Sequence, residues 1–145
     1  MRSLEKLTPL ALLLLRFTVG VIFISHGYPK LFGHTREAME GFSRMGLPSY
    51  LAYVSGLFEF FGGSMLIAGL FTRVAGLLLT IELGIGIWKA GHLVQDPMAV
   101  RNYESPLVLA VSAFALATLG AGVISLDQAI FGAIRQASGK TKKRD

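Results

Sequence analysis

Three ionisable residues, Arg16, Glu59 and Glu82, interrupt apolar stretches of this 145-residue chain. A charged side chain at the centre of a membrane helix costs on the order of 3 kcal/mol, so such groups normally face a bundle interior or a wet cavity. The three residues lie on different runs. Counted from the run ends at a rise of 1.5 Å per residue, their backbones lie within roughly 5 Å of each other in membrane depth. We therefore predict that Arg16 pairs with Glu59, Glu82 or both.

This predicted charge cluster has a functional and a structural interpretation. One cation and two carboxylates leave a surplus negative charge unless a glutamate is protonated. In the functional interpretation, such a cluster is a pocket for a proton, a quinone headgroup or a small polar ligand. Small residues surround Glu59 and would let a second helix approach closely; they are Ser55, Gly56, Gly62 and Gly63. The alternative is an ion pair that only fixes the helix register.

The three histidines form a second candidate group. His26 and His92 end two of the apolar runs and His34 follows in a loop, so all three are predicted on one membrane side. Two imidazoles at equal depth are weak candidates for holding a metal ion or a haem. We favour the interpretation that these histidines are solvated polar anchors at the membrane interface. No metal site is therefore assigned, and a haem is disfavoured. Lys30, beside His26, is a candidate for binding an anionic or aromatic headgroup.

Four apolar runs must position these residues. They cover residues 7–25, 51–71, 74–88 and 107–126, and only 16% of the chain is charged against 52% apolar. A soluble domain carries about a quarter charged residues, and roughly 20 apolar residues span a membrane. We predict an all-α, polytopic membrane four-helix bundle. It forms a single domain over residues 1–145, with a basic tail at 127–145.

The connections predict specific caps. Gly69 is suited to a left-handed end of the second span, and Thr72 is suited to cap the third. Thr35 is expected to cap a short interfacial helix. Ser125 and Gln128 match a capping box at the start of another.

Composition and charge exclude several functions and predict an orientation. The absence of cysteine excludes thiol chemistry and Cys-ligated metal centres. Lys and Arg number eight on the side of the two termini and of Arg73, against five in the opposite loops. The positive-inside rule then places both termini in the cytoplasm. The basic tail is interpreted as a contact with anionic lipid rather than with nucleic acid.

Four segments, taken in order, resemble the DoxX family of small bacterial membrane proteins. They are LLLRFTVGVIF at 13–23, HGYPKLFG at 26–33, GLFEFFGGSMLIAGLFTR at 56–73 and GAGVISLD at 120–127. The resemblance runs from about Leu13 to Asp127 and implies a four-helix bundle in the cytoplasmic (inner) membrane. It carries over Arg16, Lys30, Glu59 and Arg73 as family positions. A basic residue that the family usually has in the last segment is replaced here by Val123 or Ile124.

The family is associated with quinone-linked redox complexes and, more distantly, with cargo handling and assembly. The first functional hypothesis is therefore a membrane subunit of a redox complex that binds a quinone near Arg16, Glu59 and Glu82 and takes electrons from a protein partner. The second is a non-enzymatic scaffold or assembly factor whose charges only lock the helices. A small transporter, which would need a homo-oligomer, is the weakest hypothesis. No enzyme activity is assigned on this basis.

Overall fold

The computed structural model describes residues 5–90, 103–130 and 132. These residues contain no strand, and the sequence-based prediction of an all-α protein is confirmed for them. The helices are α1 (Thr8–Phe32), α2 (Thr35–Arg44), α3 (Leu51–Ala68), α4 (Thr72–Lys89) and α5 (Glu104–Leu119). A short helical segment follows at 126–130.

Two helix ends differ from the predicted run ends by seven residues, and the other ends differ by less. α1 continues to Phe32 instead of ending at Ser25, because Gly27 packs against the backbone of α3 and keeps the last two turns in contact with it. α5 ends at Leu119 instead of Leu126, because Gly120 and Gly122 have φ values of 82° and 77° that are incompatible with a right-handed helix. Residues 120–125 therefore form a loop.

Length and composition support two membrane spans among the described residues. α1 and α3 are both long and apolar enough to cross a bilayer. α4 has 18 residues but contains Arg73, Glu82 and Lys89, and α5 is apolar but only 16 residues long. The four-span bundle is thus supported in part.

The helices associate mainly as two pairs, α1 with α3 and α4 with α5, and α3 joins the pairs through α4. Glycine makes both pairings close. A Cβ atom built on Gly20 would lie 2.6 Å from the carbonyl oxygen of Gly63, and one built on Gly76 would lie 2.6 Å from that of Ala113. Small residues of this kind let membrane helices pack backbone against backbone.

The core lies where these pairs meet. Phe23 of α1, Leu66 of α3 and Leu79 of α4 are almost fully buried in it. Most other large apolar side chains of the four long helices are exposed, as expected for surfaces that face lipid.

The predicted turn chemistry is correct at Gly69 and incomplete elsewhere. Gly69 ends α3 in the left-handed conformation, with φ of 68°. α2 forms as predicted, but His34 precedes it and no side chain caps it. Ser125 accepts a hydrogen bond from the amide of Gln128 at 3.2 Å, which confirms one half of the predicted capping box.

Substitution of Gly63 tests the close contact between α1 and α3. We expect Gly63→Ala to destabilise the protein by about 2 kcal/mol, because the added methyl group meets the Gly20 carbonyl and the two helices must separate. Gly84→Ala is the matched control, since nothing lies within 4 Å of a Cβ there. Unfolding in detergent micelles measures both variants, and equal stability would contradict the packing.

Candidate functional site

Buried polar side chains form two separate clusters near opposite ends of α1. Lys30, Ser55, Glu59 and Glu82 form the Lys30 cluster. Arg16, the carbonyl groups of Ala121 and Ile124, and Asp127 form the Arg16 cluster. Arg16 and Lys30 are 14 residues apart in one helix, which corresponds to roughly 21 Å along its axis. The clusters are therefore independent sites.

The Lys30 cluster is built on an ion pair between α1 and α3. Lys30 Nζ lies 2.6 Å from Glu59 Oε2 and donates a hydrogen bond of 2.8 Å to Ser55 Oγ. The Glu59 side chain is 4% exposed and that of Lys30 is 22% exposed. The stem of Lys30 fits against α3 because Gly56 leaves room for it: a Cβ on Gly56 would be 2.9 Å from the Lys30 Cβ.

Helix α2 covers this ion pair on one side. The ring centroid of Phe42 is 5.9 Å from Lys30 Nζ, within range of a cation–π contact. The ring of Phe32 packs edge-on against Phe60 nearby, with centroids 6.1 Å apart. Aromatic side chains thus limit access of water to the ammonium group.

Glu82 brings a second carboxylate to the same place from α4. It interacts electrostatically with Glu59 and Lys30. Both of its oxygens are buried beside the Ser55 hydroxyl group, which is a hydrogen-bonding neighbour, but no cation forms an ion pair with Glu82 among the residues that the structure describes. The cluster therefore combines one ammonium group with two carboxylates, and only Glu59 has a close cationic partner.

Arg16 does not join this cluster, so its predicted pairing with Glu59 or Glu82 is wrong. The depth estimate aligned the ends of the predicted runs and took the first run to end at Ser25, whereas α1 continues to Phe32. Glu59 consequently lies level with Gly27, whose Cβ would be 3.0 Å from the Glu59 Cβ. Gly27 is 11 residues from Arg16, or roughly 16 Å along α1.

Arg16 instead binds the loop that follows α5. Its side chain is almost fully buried at 2% exposure. Nη1 donates a hydrogen bond to the carbonyl oxygen of Ala121, and Nη2 donates one of 2.9 Å to that of Ile124. The guanidinium fits beside the turn between α3 and α4 because residue 69 is glycine: a Cβ there would be 2.6 Å from Nη1.

Asp127 fastens the same loop to the start of α4. Its Oδ1 accepts a hydrogen bond of 2.8 Å from the Phe71 amide, and its Oδ2 accepts one of 3.1 Å from the Thr72 amide. The Asp127 amide donates a hydrogen bond of 2.9 Å to the Gly69 carbonyl oxygen. The prediction that Thr72 caps α4 is therefore wrong, because a carboxylate 55 residues further along the chain satisfies these amides.

The remaining candidates lie outside both clusters. His26 is exposed on α1, and Arg73 is exposed at the start of α4 beside Gly120. His92 lies outside the described residues. No group of three potential metal ligands occurs among the described residues, and the assignment of a metal to the histidines remains untested.

Sequence reasoning missed two contributors to the clusters. Ser55 was noted only as a small residue, although it stands four positions before Glu59 on the same helix face, which was the available signal. Asp127 was noted only as the end of the GAGVISLD segment. Its role depends on a contact with a distant turn, and no local pattern could have revealed it.

The fold and the two clusters describe a helical membrane protein that has buried charged groups near each end of its helices. The DoxX family model matches residues 11–92. The chain is 35% identical over 132 residues to "Putative oxidoreductase CatD" of Bacillus subtilis, a match that covers 88% of this chain and 92% of that protein. This chain belongs to the DoxX family.

Another relative indicates the membrane. The chain is 29% identical over 133 residues to "Inner membrane protein YqjF" of Escherichia coli, covering 86% of this chain and 95% of that protein. An uncharacterized protein of Haemophilus influenzae is 32% identical over 136 residues, covering 90% and 98% of the two chains. The family and the inner-membrane relative support a bacterial inner-membrane protein. No solved structure matches the chain significantly.

Removal of the Arg16 side chain tests the Arg16 cluster. We expect Arg16→Met to destabilise the protein by about 3 kcal/mol, because two buried carbonyl groups lose charge-assisted hydrogen bonds. Arg36→Met is the matched control, since Arg36 is exposed on α2 and forms only a surface pair with Glu40. Unfolding in detergent gives both values, and a similar small effect in the two variants would show that Arg16 does not hold the loop.

A double-mutant cycle tests the Lys30–Glu59 pair. We expect Lys30→Met alone to cost about 2 kcal/mol, because it leaves the Glu59 carboxylate buried without its cation. Lys30→Met combined with Glu59→Gln is expected to recover part of that loss, since no uncompensated charge remains at Glu59. The same cycle on Arg44 and Glu40, an exposed pair at 3.8 Å, is the control and is expected to show little coupling. Additive effects at Lys30 and Glu59 would contradict the pairing.

Proposed function

We propose that this chain is a membrane subunit of a redox complex and that the Lys30 cluster binds a quinone headgroup and exchanges the accompanying proton. The observation that carries the proposal is Glu82, whose two buried carboxylate oxygens have Ser55 as a hydrogen-bonding neighbour but no cation paired to them among the described residues, since Lys30 is paired with Glu59. Burial of an unpaired carboxylate is expensive, so such a group calls for a proton or for a ligand that donates a hydrogen bond.

The chemistry of the Lys30 cluster suits both oxidation states of a quinone. The ammonium group of Lys30 has three N–H donors, and two of them are used by Glu59 and Ser55. The third is suited to a quinone carbonyl, and the Glu82 carboxylate is suited to a quinol hydroxyl. A bound quinone would supply two-electron redox chemistry. The chain's own contribution would be to orient the ring and to hold a proton on Glu82.

An apolar groove between α3 and α4 supports access from the membrane. It has a volume of about 450 Å³, and Phe58 and Phe61 contribute to its walls. Gly62 and Leu79 form part of its lining and lie three residues from Glu59 and Glu82, respectively. An isoprenoid chain in this groove would place its headgroup about one helical turn from the two carboxylates.

Similarity to a named relative also supports a redox function. One relative carries the word oxidoreductase in its printed name, over a match that covers most of both chains. We extend that activity to this chain only as part of the proposal. The electron source would be a protein partner, since this sequence has no cysteine for a redox-active thiol pair.

We also propose that four helices span the membrane with both termini in the cytoplasm. Contacts at one end of the molecule support this arrangement: Asp127 binds the turn between α3 and α4, and Gly122 packs against Leu12 of α1. The start of α1, the α3–α4 turn with Arg73, and the segment leading into the basic tail therefore lie together. These are the parts of the chain with the larger share of Lys and Arg.

A scaffold or assembly role is the second candidate, and the Arg16 cluster favours it. This cluster links α1, the α3–α4 turn and the loop after α5 without an unpaired carboxylate, which is how a purely structural lock would be built. Under this alternative, Glu82 would have no ligand and the protein would carry no quinone.

Glu82→Gln distinguishes the two functions. The substitution keeps the shape of the side chain and removes its charge, so we expect the protein to fold with unchanged or higher stability. We expect affinity for a short-chain ubiquinol to fall about tenfold, because the amide does not replace the charged acceptor for the quinol hydroxyl. Quenching of Trp88, the one tryptophan in the sequence, reports binding. Lipid extracts of the purified protein report quinone content.

Glu104→Gln is the matched control for this experiment, because Glu104 is exposed at the start of α5. It is expected to bind the ubiquinol as the unmodified protein does. Absence of saturable binding in the unmodified protein would refute the quinone proposal and favour the scaffold. Equal affinity in the Glu82 and Glu104 variants would refute the assignment of Glu82.

A further inference from the structure

A second cleft lies at the opposite end of α1 from the Lys30 cluster. It occupies about 790 Å³ between the start of α4 and the segment that follows α5. Apolar walls come from Val74, Leu119 and Val123, and polar groups come from Arg73, Ser125 and Gln128. A cleft with one apolar and one polar side suits an amphiphile rather than a small hydrophilic solute.

Arg73 is the cation available in this cleft. It forms no ion pair and no hydrogen bond with any residue in the described ranges 5–90 and 103–130. Asp127 also lines the cleft, but its two oxygens already accept hydrogen bonds from the Phe71 and Thr72 amides. The Arg73 side chain lies along the loop, since a Cβ on Gly120 would be 3.2 Å from its Nε.

The loop backbone adds further donors. The carbonyl groups of Ala121 and Ile124 are bound by Arg16, and that of Gly122 accepts a hydrogen bond from Ser125 Oγ at 2.7 Å. Within the part of the chain that the structure describes, the amides of residues 121–125 donate no backbone hydrogen bond. Such amides are satisfied by water or by an anion. Arg16 therefore helps to fix a loop in which four of the five carbonyl groups of residues 121–125 accept hydrogen bonds, whereas the amides of these residues remain available to a ligand.

We propose that this cleft binds an anionic phospholipid, with Arg73 paired to the phosphate and the apolar wall holding the first part of an acyl chain. A planar guanidinium with adjacent backbone amides is well matched to phosphate oxygens. The cleft lies where α4 begins and α5 ends, which is the level of the headgroups if these helices span the membrane. The sequence beyond residue 132 adds five basic residues that would raise the local concentration of anionic lipid.

Lipid titration of the full-length protein tests this site. Native mass spectrometry in detergent measures the affinity for phosphatidylglycerol in the unmodified protein, in Arg73→Gln and in Arg36→Gln. We expect one saturable site, weakened about tenfold by Arg73→Gln through loss of a charge-assisted pair. Arg36→Gln removes the same charge from exposed α2 and is expected to leave this affinity unchanged. Equal loss in both variants would show only general charge attraction and would overturn the proposal.

A second pair of variants changes the shape of the cleft and leaves every charge in place. Val123→Trp is expected to fill the cleft and weaken phosphatidylglycerol binding, whereas Val108→Trp, on an exposed face of α5 outside the cleft, is expected to have no effect. These two variants test whether the cleft binds the lipid even if Arg73→Gln fails to fold. Equal binding by the two tryptophan variants would overturn the assignment of the cleft.

Inorganic phosphate distinguishes a lipid from a soluble anion. We expect millimolar phosphate to leave the thermal stability of the protein unchanged, because the free ion makes no contact with the apolar wall. Stabilisation by phosphate that requires Arg73, without a preference for phosphatidylglycerol, would assign the cleft to a soluble anion and overturn the lipid proposal. Neither result bears on quinone binding, since the Lys30 cluster lies at the other end of α1.

Discussion

The hydrogen bonds from Arg16 to the carbonyl groups of Ala121 and Ile124 organise one entire end of this protein. They join a residue near the start of the chain to a loop more than a hundred positions later, and they give the loop its inward-facing carbonyl groups. Asp127 completes the closure by fastening this loop to the α3–α4 turn. A buried guanidinium must find acceptors within the protein, and backbone carbonyls supply them without a second buried charge.

The two charge clusters solve the burial problem differently, and this difference suggests different roles. In the Arg16 cluster, carbonyl groups of the loop accept the hydrogen bonds of the guanidinium, and Asp127 is matched by amide donors. In the Lys30 cluster, the one ammonium group pairs with Glu59 and leaves Glu82 without a paired cation among the described residues. The Arg16 cluster, in which both terminal guanidinium nitrogens and both Asp127 oxygens have hydrogen-bond partners, suits a structural joint. The Lys30 cluster, in which a second carboxylate has no cation paired to it, suits ligand or proton exchange.

Helix packing explains why these contacts form and the predicted ones do not. Gly20 and Gly63 bring α1 and α3 together, and Gly27 and Gly56 continue the same contact about two helical turns away. This register sets Lys30 beside Ser55 and Glu59 and leaves Arg16 beside Gly69. Gly84 and Gly86 of α4, in contrast, have no atom from another part of the described chain within 4 Å of the position of a Cβ. The identity of a glycine therefore does not reveal which helix it meets.

Composition and short segments were enough to predict the helical fold class, the family, the residues that interrupt the apolar runs and the left-handed turn at Gly69. The pairing of Lys30 rather than Arg16 with Glu59, the capping of α4 by Asp127 and the binding of the loop after Leu119 to Arg16 could be seen only in the folded protein. A long charged side chain chooses its partner by the depth and rotation of whole helices. Those quantities follow from contacts between segments far apart in the chain.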